Sequence, residues 1–192
     1  MPPTQAVGIF PLTGRPCRRN VALQQWARED GAGQSIRSGT ARTDGAAATG
    51  PGDSEAIRNL KARYAALCDN QYDCDGIAAL FTEDAVWESP ALGRFEGREA
   101  IRNFFRGASE IFSFAIHYSL NGQIEVDGDT ARAQWYLFMP CTVAAGNRAM
   151  WRASIDHEIY ARVDGIWMFR QKRSEPLMSV PFETGWAKTR FA

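Results

Sequence analysis

The chain has 192 residues, of which 45% are hydrophobic and 23% charged, a composition typical of a globular protein of one domain with its own core. Lys plus Arg equals Asp plus Glu at 22 each, so no excess charge favours nucleic acid or an anionic membrane. No apolar run approaches the length that crosses a bilayer. We therefore expect neither nucleic acid nor a membrane as a partner.

Four cysteines stand far apart without a C-x-x-C pair, and the chain has only two histidines. A zinc site of the usual Cys/His spacing therefore lacks ligands. The N-terminus shows no short apolar segment of a secretory signal, and scattered cysteines are typical of reduced thiols. These features predict a cytoplasmic protein without a metal.

Residues 1–52 differ in composition from the rest and hold eight of the 17 glycines. A stretch of this composition cannot bury enough apolar surface to offset the entropy that it would lose on ordering. We therefore expect a disordered low-complexity extension, with at most a short helix over residues 21–28. The folded domain is expected to span residues 53–192.

Three helices are expected at the start of this domain. Asp53 or Ser54 caps the first, which ends near Asp69. A second short helix includes Ile77 and Phe81, and a third spans residues 98–112. Apolar residues recur at helical spacing in each, in the first helix at Ile57, Leu60, Tyr64, Leu67 and Cys68.

The remainder has the pattern of strands. Asp127-Gly128 and Asp164-Gly165 are hairpin turns between β-rich runs. Between them, residues 131–139 alternate in polarity, with aromatic residues in both sets, so we expect both faces of this strand to be covered. Residues 151–163 and 166–172 continue the meander. Three helices followed by a long antiparallel sheet predict an α+β domain with the helices on one face.

The residues that carry chemistry are few. The chain has no G-x-S-x-G, Walker or G-x-G-x-x-G motif, which leaves its two histidines and nearby carboxylates. His117 points inward if it shares a face with Ala115, either as a base or as a core histidine. His157 lies between Asp156 and Glu158 on a strand and is expected to face away from both. Asp69 ends a helix, where the helix dipole opposes a carboxylate unless a histidine or a turn stabilises it.

From about residue 54 onward the chain resembles the SnoaL-like family, whose fold is that of nuclear transport factor two. The resemblance rests on five stretches in the same order: Arg-Tyr-Ala-Ala-Leu-Cys-Asp, Ala-Ala-Leu-Phe-Thr-Glu-Asp-Ala-Val-Trp, Phe-Glu-Gly-Arg-Glu-Ala-Ile, Ile-His-Tyr-Ser-Leu-Asn and Ala-Arg-Val-Asp-Gly-Ile-Trp. It implies a cone-shaped α+β barrel around one hydrophobic pocket, and a homo-oligomer, either a trimer or a dimer.

Within this family the chain is similar to hexachlorocyclohexane dehydrochlorinase and to scytalone dehydratase. Both use an Asp–His pair for elimination, and the resemblance places that pair at Asp69 and His117. In the dehydrochlorinase a cationic side chain helps the leaving group to depart, and the resemblance places that side chain at Lys172. Two polar residues that bind the substrate in scytalone dehydratase fall on Ser154 and Asp156, but its second histidine falls on Cys141.

Two other members of the family resemble the chain around Tyr64. Bile acid dehydratases have a pocket Tyr and Asp five residues apart, as Tyr64 and Asp69 are. Ketosteroid isomerases share the Arg-Tyr-Ala-Ala-Leu stretch, which makes Tyr64 the counterpart of their oxyanion-hole tyrosine. Their basic aspartate falls on Ser89, which argues against that mechanism.

Further polar residues are candidates for contacting a substrate. Asn121 and Arg152 belong to this group, and Arg152 either pairs with Asp156 inside the pocket or closes an ion pair at its rim. Trp87 and Trp135 are core residues that would also line the pocket. Residues 176–192 are apolar enough to cover the pocket mouth or a neighbouring subunit.

The leading hypothesis is a cofactor-free lyase that takes a proton from a small hydrophobic or aromatic molecule with His117. Two alternatives stay open, because a fold alone does not assign a function. One is a non-catalytic binding or accessory subunit like the small subunit of ring-hydroxylating dioxygenases. The other is an isomerase or cyclase that acts on a polyketide or steroid.

Overall fold

The computed structural model of the protein describes residues 51–192. This part of the chain forms three helices: α1 (Pro51–Asp69), α2 (Cys74–Ala79) and α3 (Arg98–Ile111). It also forms seven strands: β1 (Phe81–Ser89), β2 (Gly93–Glu96), β3 (Phe112–Ala115), β4 (Tyr118–Asp127), β5 (Thr130–Val143), β6 (Arg148–Val163) and β7 (Ile166–Pro181).

Helix α1 begins two residues before the predicted Asp53, with a proline that suits a first helical turn. Asp53 accepts hydrogen bonds from the Arg162 guanidinium at 2.8 Å and from the Trp167 indole at 3.1 Å. These bonds hold the pKa of Asp53 below its usual value and attach the start of α1 to the hairpin between β6 and β7.

The second and third helices are shorter than predicted. The side chain of Asp73 accepts from the Gly76 N–H at 3.0 Å and caps α2. Phe81, predicted to be helical, is instead the first residue of β1 because it pairs with Phe169 on β7, and the two rings stack 5.0 Å apart. Phe112 likewise leaves α3 and begins β3.

The strands form one sheet in the order β2-β1-β7-β6-β5-β3, and β4 also pairs with β5. All pairings are antiparallel except that of β1 with β7. The sheet is therefore curved and mostly antiparallel, as predicted. The predicted order of three helices and then strands is wrong, because β1 and β2 lie between α2 and α3. Strand β1 pairs with β2 on one side and with the last strand, β7, on the other.

Both predicted hairpins are present. Gly128 has φ +58° and Gly165 φ +80°, and the preceding Asp164 has φ +50°, the left-handed backbone that such turns require. Strand β7 runs nine residues past its predicted end, to Pro181. The longer strand brings the C-terminal segment across the sheet.

The prediction that both faces of β5 are covered is wrong for the described chain. Ala133 and Trp135 are buried on the inner face, whereas Tyr136 on the outer face is 42% exposed. Aromatic rings continue across this outer face, with Phe138 and Trp151 stacked 5.5 Å apart. Trp151 also packs against two residues of the C-terminal segment. The homo-oligomer stays a prediction.

Cys68 and Cys141 are free, buried thiols, as predicted. Cys17 lies outside the described residues, as do residues 1–50 with the predicted extension and its short helix. None of the helices in residues 51–192 is long and apolar enough to cross a membrane.

Candidate active site

A cavity lies between the helices and the inner face of the sheet. Helix α1 contributes Tyr64 and Cys68 to its wall, and α3 contributes Phe104, Phe105 and Ala108. Its apolar wall is completed by Tyr72, Trp87, Leu92, Phe112, Leu137, Met139, Ala153, Pro176 and Met178. Its polar lining consists of Lys61, Ser89, His117, Ser119, Arg152, Ser154, Asp156, Lys172, Ser174 and Ser179.

Asp69 and His117 are directly bonded at one side of this cavity. The Asp69 Oδ1 atom lies 2.7 Å from the His117 Nδ1 atom and 2.9 Å from the His117 backbone nitrogen. The last residue of α1 is thereby held to the segment between β3 and β4. The His117 side chain is 10% exposed and the Asp69 side chain 34%. The two N–H groups stabilise a carboxylate that the dipole of α1 would otherwise oppose.

The bond to Asp69 determines the tautomer of His117. A carboxylate only accepts hydrogen bonds, so the Nδ1 atom carries the hydrogen and Nε2 keeps the lone pair in the neutral ring. Among the described residues, Nε2 has no hydrogen-bond partner. The Tyr72 ring packs edge-on against the imidazole at 5.8 Å and restricts its orientation. The site thus offers an oriented basic nitrogen beside an apolar cavity.

A buried ionic cluster forms another part of the polar lining. Asp156 Oδ2 lies 3.0 Å from Lys61 Nζ and 2.7 Å from Lys172 Nζ. Lys61 also bonds Glu158 Oε1 at 2.5 Å. All four side chains are at most 4% exposed. Two cations and two anions leave the cluster formally neutral, as burial requires.

Hydrogen bonds complete the cluster. The Ser174 hydroxyl donates to Asp156 Oδ1 at 2.7 Å, and the Tyr160 hydroxyl donates to Glu158. Burial opposes ionisation of Asp156, but Lys172 and Lys61 outweigh it and lower the pKa of the carboxyl. Burial likewise opposes protonation of Lys61, but Asp156 and Glu158 raise its pKa. Asp156 and Lys61 therefore stay ionised together.

Tyr64 lies between the ionic cluster and the aromatic wall. Its hydroxyl accepts from the Trp87 indole N–H at 3.1 Å. The Lys61 and Lys172 ammonium groups lie 5.6 and 5.7 Å from its ring centroid. Burial raises the pKa of Tyr64 well above its usual value, so the hydroxyl is a neutral donor and acceptor.

The SnoaL-like domain model matches residues 52–173, nearly two thirds of the chain. The chain belongs to the SnoaL-like family. A curated relative is the γ-hexachlorocyclohexane dehydrochlorinase of Sphingobium indicum, 24% identical over 100 residues that cover 51% of this chain and 64% of the relative. The chain thus spans less than two thirds of that relative's length.

Solved structures give the same fold. A protein from Novosphingobium aromaticivorans named as an aromatic ring hydroxylase is 26% identical, with a TM-score of 0.63 over 69% of this chain and 95% of the other. A protein from the same organism named as a scytalone dehydratase is 21% identical, with a TM-score of 0.62 over 68% and 87% of the two chains. The resemblance to this family and the cone-shaped α+β fold are confirmed.

Most of the predicted site residues of this SnoaL-like domain meet in the cavity. Seven of the ten predicted positions line it, and Asp69 bonds the lining residue His117; the seven are Tyr64, Trp87, His117, Arg152, Ser154, Asp156 and Lys172. Asn121 does not, because it is exposed in a bulge of β4 with φ +52°. Trp135 does not either, because its indole donates to the Tyr160 hydroxyl at 3.2 Å, behind the ionic cluster.

Arg152 does not form the predicted ion pair with Asp156. The lysines of α1 and β7 take that carboxylate. Within residues 51–192, Arg152 makes no rim ion pair either, and its guanidinium lies 5.3 Å above the Phe112 ring. His157 faces the outside of the sheet, as expected, and bonds Glu175 at 3.0 Å.

Four residues of this site were missed, although the sequence holds signals for them. Lys61 follows Ile57 by one turn of α1 and therefore shares its buried face. Glu158 and Ser174 continue the strand alternation of Asp156 and Lys172. Tyr72 has no such signal, because it lies in the turn after α1 with φ +56°. Among the described residues, no group of His, Cys, Asp and Glu could hold a metal.

Proposed function

We propose that this protein is a cofactor-free lyase that eliminates water or another leaving group from a small hydrophobic molecule. The observation that carries the proposal is the 2.7 Å bond between Asp69 and His117 beside the apolar cavity. Two of the named relatives, a dehydrochlorinase and a scytalone dehydratase, have names that describe eliminations. These relatives are 24% and 21% identical to this chain, so the activity is a proposal.

His117 is the proposed general base. Its Nε2 atom takes a proton from a substrate carbon, the electron pair of that C–H bond forms the double bond, and the leaving group departs with its bonding pair. Asp69 holds the Nδ1–H bond and stabilises the imidazolium that forms. A positioned base of this kind supplies about 10²–10⁴-fold in rate. Orientation in the cavity and polar groups near the leaving group would supply the rest.

The leaving group is proposed to face the ionic cluster. Lys172 and Tyr64 line the cavity there and carry N–H and O–H donors. Lys172 is held by Asp156 and Ser174 at 2.7 and 3.4 Å, so its ammonium needs little reorganisation when negative charge develops. A neutral Tyr64 hydroxyl is the second donor. Ser154, 8% exposed, is a polar contact for the same part of the substrate.

The cavity supports a small, largely apolar substrate. Its volume is about 100 Å³, the same order as an engineered cavity of about 150 Å³ that binds benzene. Phe104, Phe105 and Trp87 form a continuous aromatic wall, with ring centroids 4.7–5.7 Å apart. Such a wall favours an aromatic or alicyclic body.

The isomerase alternative loses support at Ser89. This residue is 7% exposed and lines the cavity, where the ketosteroid isomerases resembled by the sequence would need a carboxylate. A hydroxyl with no adjacent base does not abstract a proton from carbon. The accessory-subunit alternative is separated from the lyase by the experiment below.

The test compares two histidine–carboxylate pairs of the same chain. His117→Asn removes the proposed base, and Asp69→Asn removes its partner. His157→Asn is the matched control, because His157 bonds Glu175 at 3.0 Å on the outer face of the sheet. Hexachlorocyclohexane and scytalone are the first compounds to assay, with products followed by mass spectrometry.

Elimination by the wild type should fall about 10²–10⁴-fold in His117→Asn and remain within about twofold in His157→Asn. Turnover that survives His117→Asn contradicts the base assignment. Tight binding without turnover in the wild type supports the accessory-subunit function. Deuterium exchange into the substrate without loss of a leaving group supports an isomerase.

A further inference from the structure

Arg152 is a cation of the cavity without an anionic partner. It lies on β6, half-buried, between Met139 of β5 and Ser179 of β7 in the register of the sheet. Within residues 51–192 it makes no ion pair and no hydrogen bond, and its contact is the face of the Phe112 ring at 5.3 Å. The positive charge of this half-buried guanidinium is therefore not compensated by any described residue, and an anionic ligand in the cavity would compensate it.

The other two cations of the cavity have no such need. Lys61 and Lys172 are each within 3.0 Å of Asp156, and Lys61 also bonds Glu158. Asp69, the carboxylate at the other side of the cavity, is occupied by the ring and backbone N–H groups of His117. Every carboxylate around the cavity is therefore bonded to a residue other than Arg152.

A second polar group of the cavity is also without a partner among the described residues. The Tyr72 hydroxyl is buried and has no hydrogen-bond partner among the described residues. The Tyr72 ring lies 6.4 Å from the Phe112 ring that Arg152 covers. Burial raises the pKa of Tyr72, so its hydroxyl is a neutral donor. Both line the cavity.

We propose that Arg152 and the Tyr72 hydroxyl bind a carboxylate of the substrate, so that the substrate is a small apolar acid. The guanidinium offers two parallel N–H donors and the hydroxyl a third, which matches the acceptor geometry of a carboxylate. The apolar body of the acid then lies along the aromatic wall. The inference rests on the proposed use of the cavity as a substrate site and adds the chemical class of its ligand.

A carboxylate fits these groups better than a phosphate or an isolated halide. One guanidinium and one hydroxyl compensate a single negative charge, whereas a phosphate brings nearly two. A halide takes no advantage of the planar fork of arginine. The adjoining surfaces of Phe112, Met139 and Met178 are apolar, which requires that the anion belong to a molecule with an apolar body.

The test measures binding of benzoate and of its neutral isostere benzamide by titration calorimetry. Arg152→Gln removes the charge, and Tyr72→Phe removes only the hydroxyl. Arg148→Gln is the matched control, an exposed arginine of the same strand outside the cavity lining. Circular dichroism and the melting midpoint establish that each variant is folded.

We expect the wild type to bind benzoate more tightly than benzamide. Benzoate affinity should fall about 10–100-fold in Arg152→Gln and about 2–10-fold in Tyr72→Phe, as for hydrogen bonds to a charged and to a neutral donor. Benzamide affinity should change less than about threefold, and Arg148→Gln should bind both compounds as the wild type does. Arg152→Lys, which keeps the charge without the fork, should retain part of the benzoate affinity.

Equal affinity of the wild type for both compounds, equal losses of both in Arg152→Gln, or no benzoate binding overturns the proposal. Chloride that displaces benzoate at low millimolar concentration, and only when Arg152 is present, would assign the site to a halide leaving group instead. The outcome is independent of the base assignment, because the calorimetric titration of benzoate and benzamide measures binding and requires no turnover.

Discussion

Replacing Lys61 by methionine tests how much the buried ionic cluster contributes to folding. The change removes one of two ammonium groups from a cluster with two carboxylates, and keeps most of the side-chain volume. Asp156 would retain Lys172 and Ser174, both at 2.7 Å. Glu158 would retain the Tyr160 hydroxyl and a distant Lys172, at 3.9 Å. The substitution therefore affects mainly Glu158, which loses its 2.5 Å contact with an ammonium group.

The expected cost follows from this imbalance. Breaking a buried ion pair by removing one partner costs about 3–5 kcal/mol, because a charge is left buried without compensation. Lys172 still neutralises one of the two carboxylates, which favours the lower end, about 3 kcal/mol. For a domain of this size that loss lowers the melting midpoint by about 6–12 °C.

The assay is urea unfolding at neutral pH, followed by the fluorescence of the buried tryptophans. Arg94→Met is the matched control, because Arg94 also bonds two carboxylates, Glu88 and Glu96, each at 2.7 Å, but is 49% exposed. Solvent screens that pair of contacts, so the midpoint of this variant should stay close to that of the wild type.

A second variant separates charge from packing. The double variant Lys61→Met, Glu158→Gln has no uncompensated carboxylate, and the Tyr160 hydroxyl keeps an acceptor. Its free energy of unfolding should therefore exceed that of Lys61→Met by about 1 kcal/mol or more. If Lys61→Met unfolds at the same urea concentration as the wild type, the cluster does not hold the core together. If the double variant is as unstable as the sum of the single ones, the loss comes from packing and not from charge.

Two further predictions follow from the same core. The free energy of unfolding should fall as the pH drops below about 4. The pKa of Asp156 is lower in the folded state than its unfolded value of about 3.9, so its ionised form stabilises the fold above that value, and this stabilisation is lost as the pH falls toward the folded pKa. Asp156→Asn should flatten this pH dependence in acid unfolding curves. Gly122→Ala should destabilise the domain by about 1–3 kcal/mol in urea unfolding, since its Cβ would lie 2.1 Å from the Trp135 ring. Gly107→Ala, which meets no atom within 4 Å on α3, should instead stabilise it slightly.

Local patterns were sufficient to predict most elements of the fold. The apolar spacing of α1 and α3 and the Asp-Gly turns depend on residues near in sequence, and the structure places them close to the predicted positions. Strand β1 is different, because its residues pair with β7 some 85 positions later. Phe81 continues a helical pattern locally, but it pairs with Phe169 of β7 in the sheet and stacks on its ring.

The residues of the candidate site also divide into those that the sequence predicts and those that depend on contacts between distant elements. The pair of Asp69 and His117 was suggested by the resemblance to the SnoaL-like family, and the two residues lie within bonding distance, while their catalytic role stays a prediction. The same resemblance pointed to Ser154 and Asp156, which line the cavity, and strand alternation predicted that His157 faces away from Asp156, as it does. Alternation gives the face of a side chain but not the register along the sheet, which is why Trp135 was expected at the cavity and lies beyond it.

The partners of the charged residues were the least predictable feature, and they decide the chemistry proposed for the cavity. Arg152 and Lys61 both point inward, and from sequence either one can neutralise Asp156. The choice depends on the approach of α1 to β6, which brings Lys61 within 3.0 Å of that carboxylate. Once Lys61 and Lys172 hold Asp156, the core has no carboxylate left for Arg152. The position of α1 thus leaves Arg152 without an anionic partner among the described residues. The packing that brings Lys61 to Asp156 therefore also creates the proposed carboxylate site.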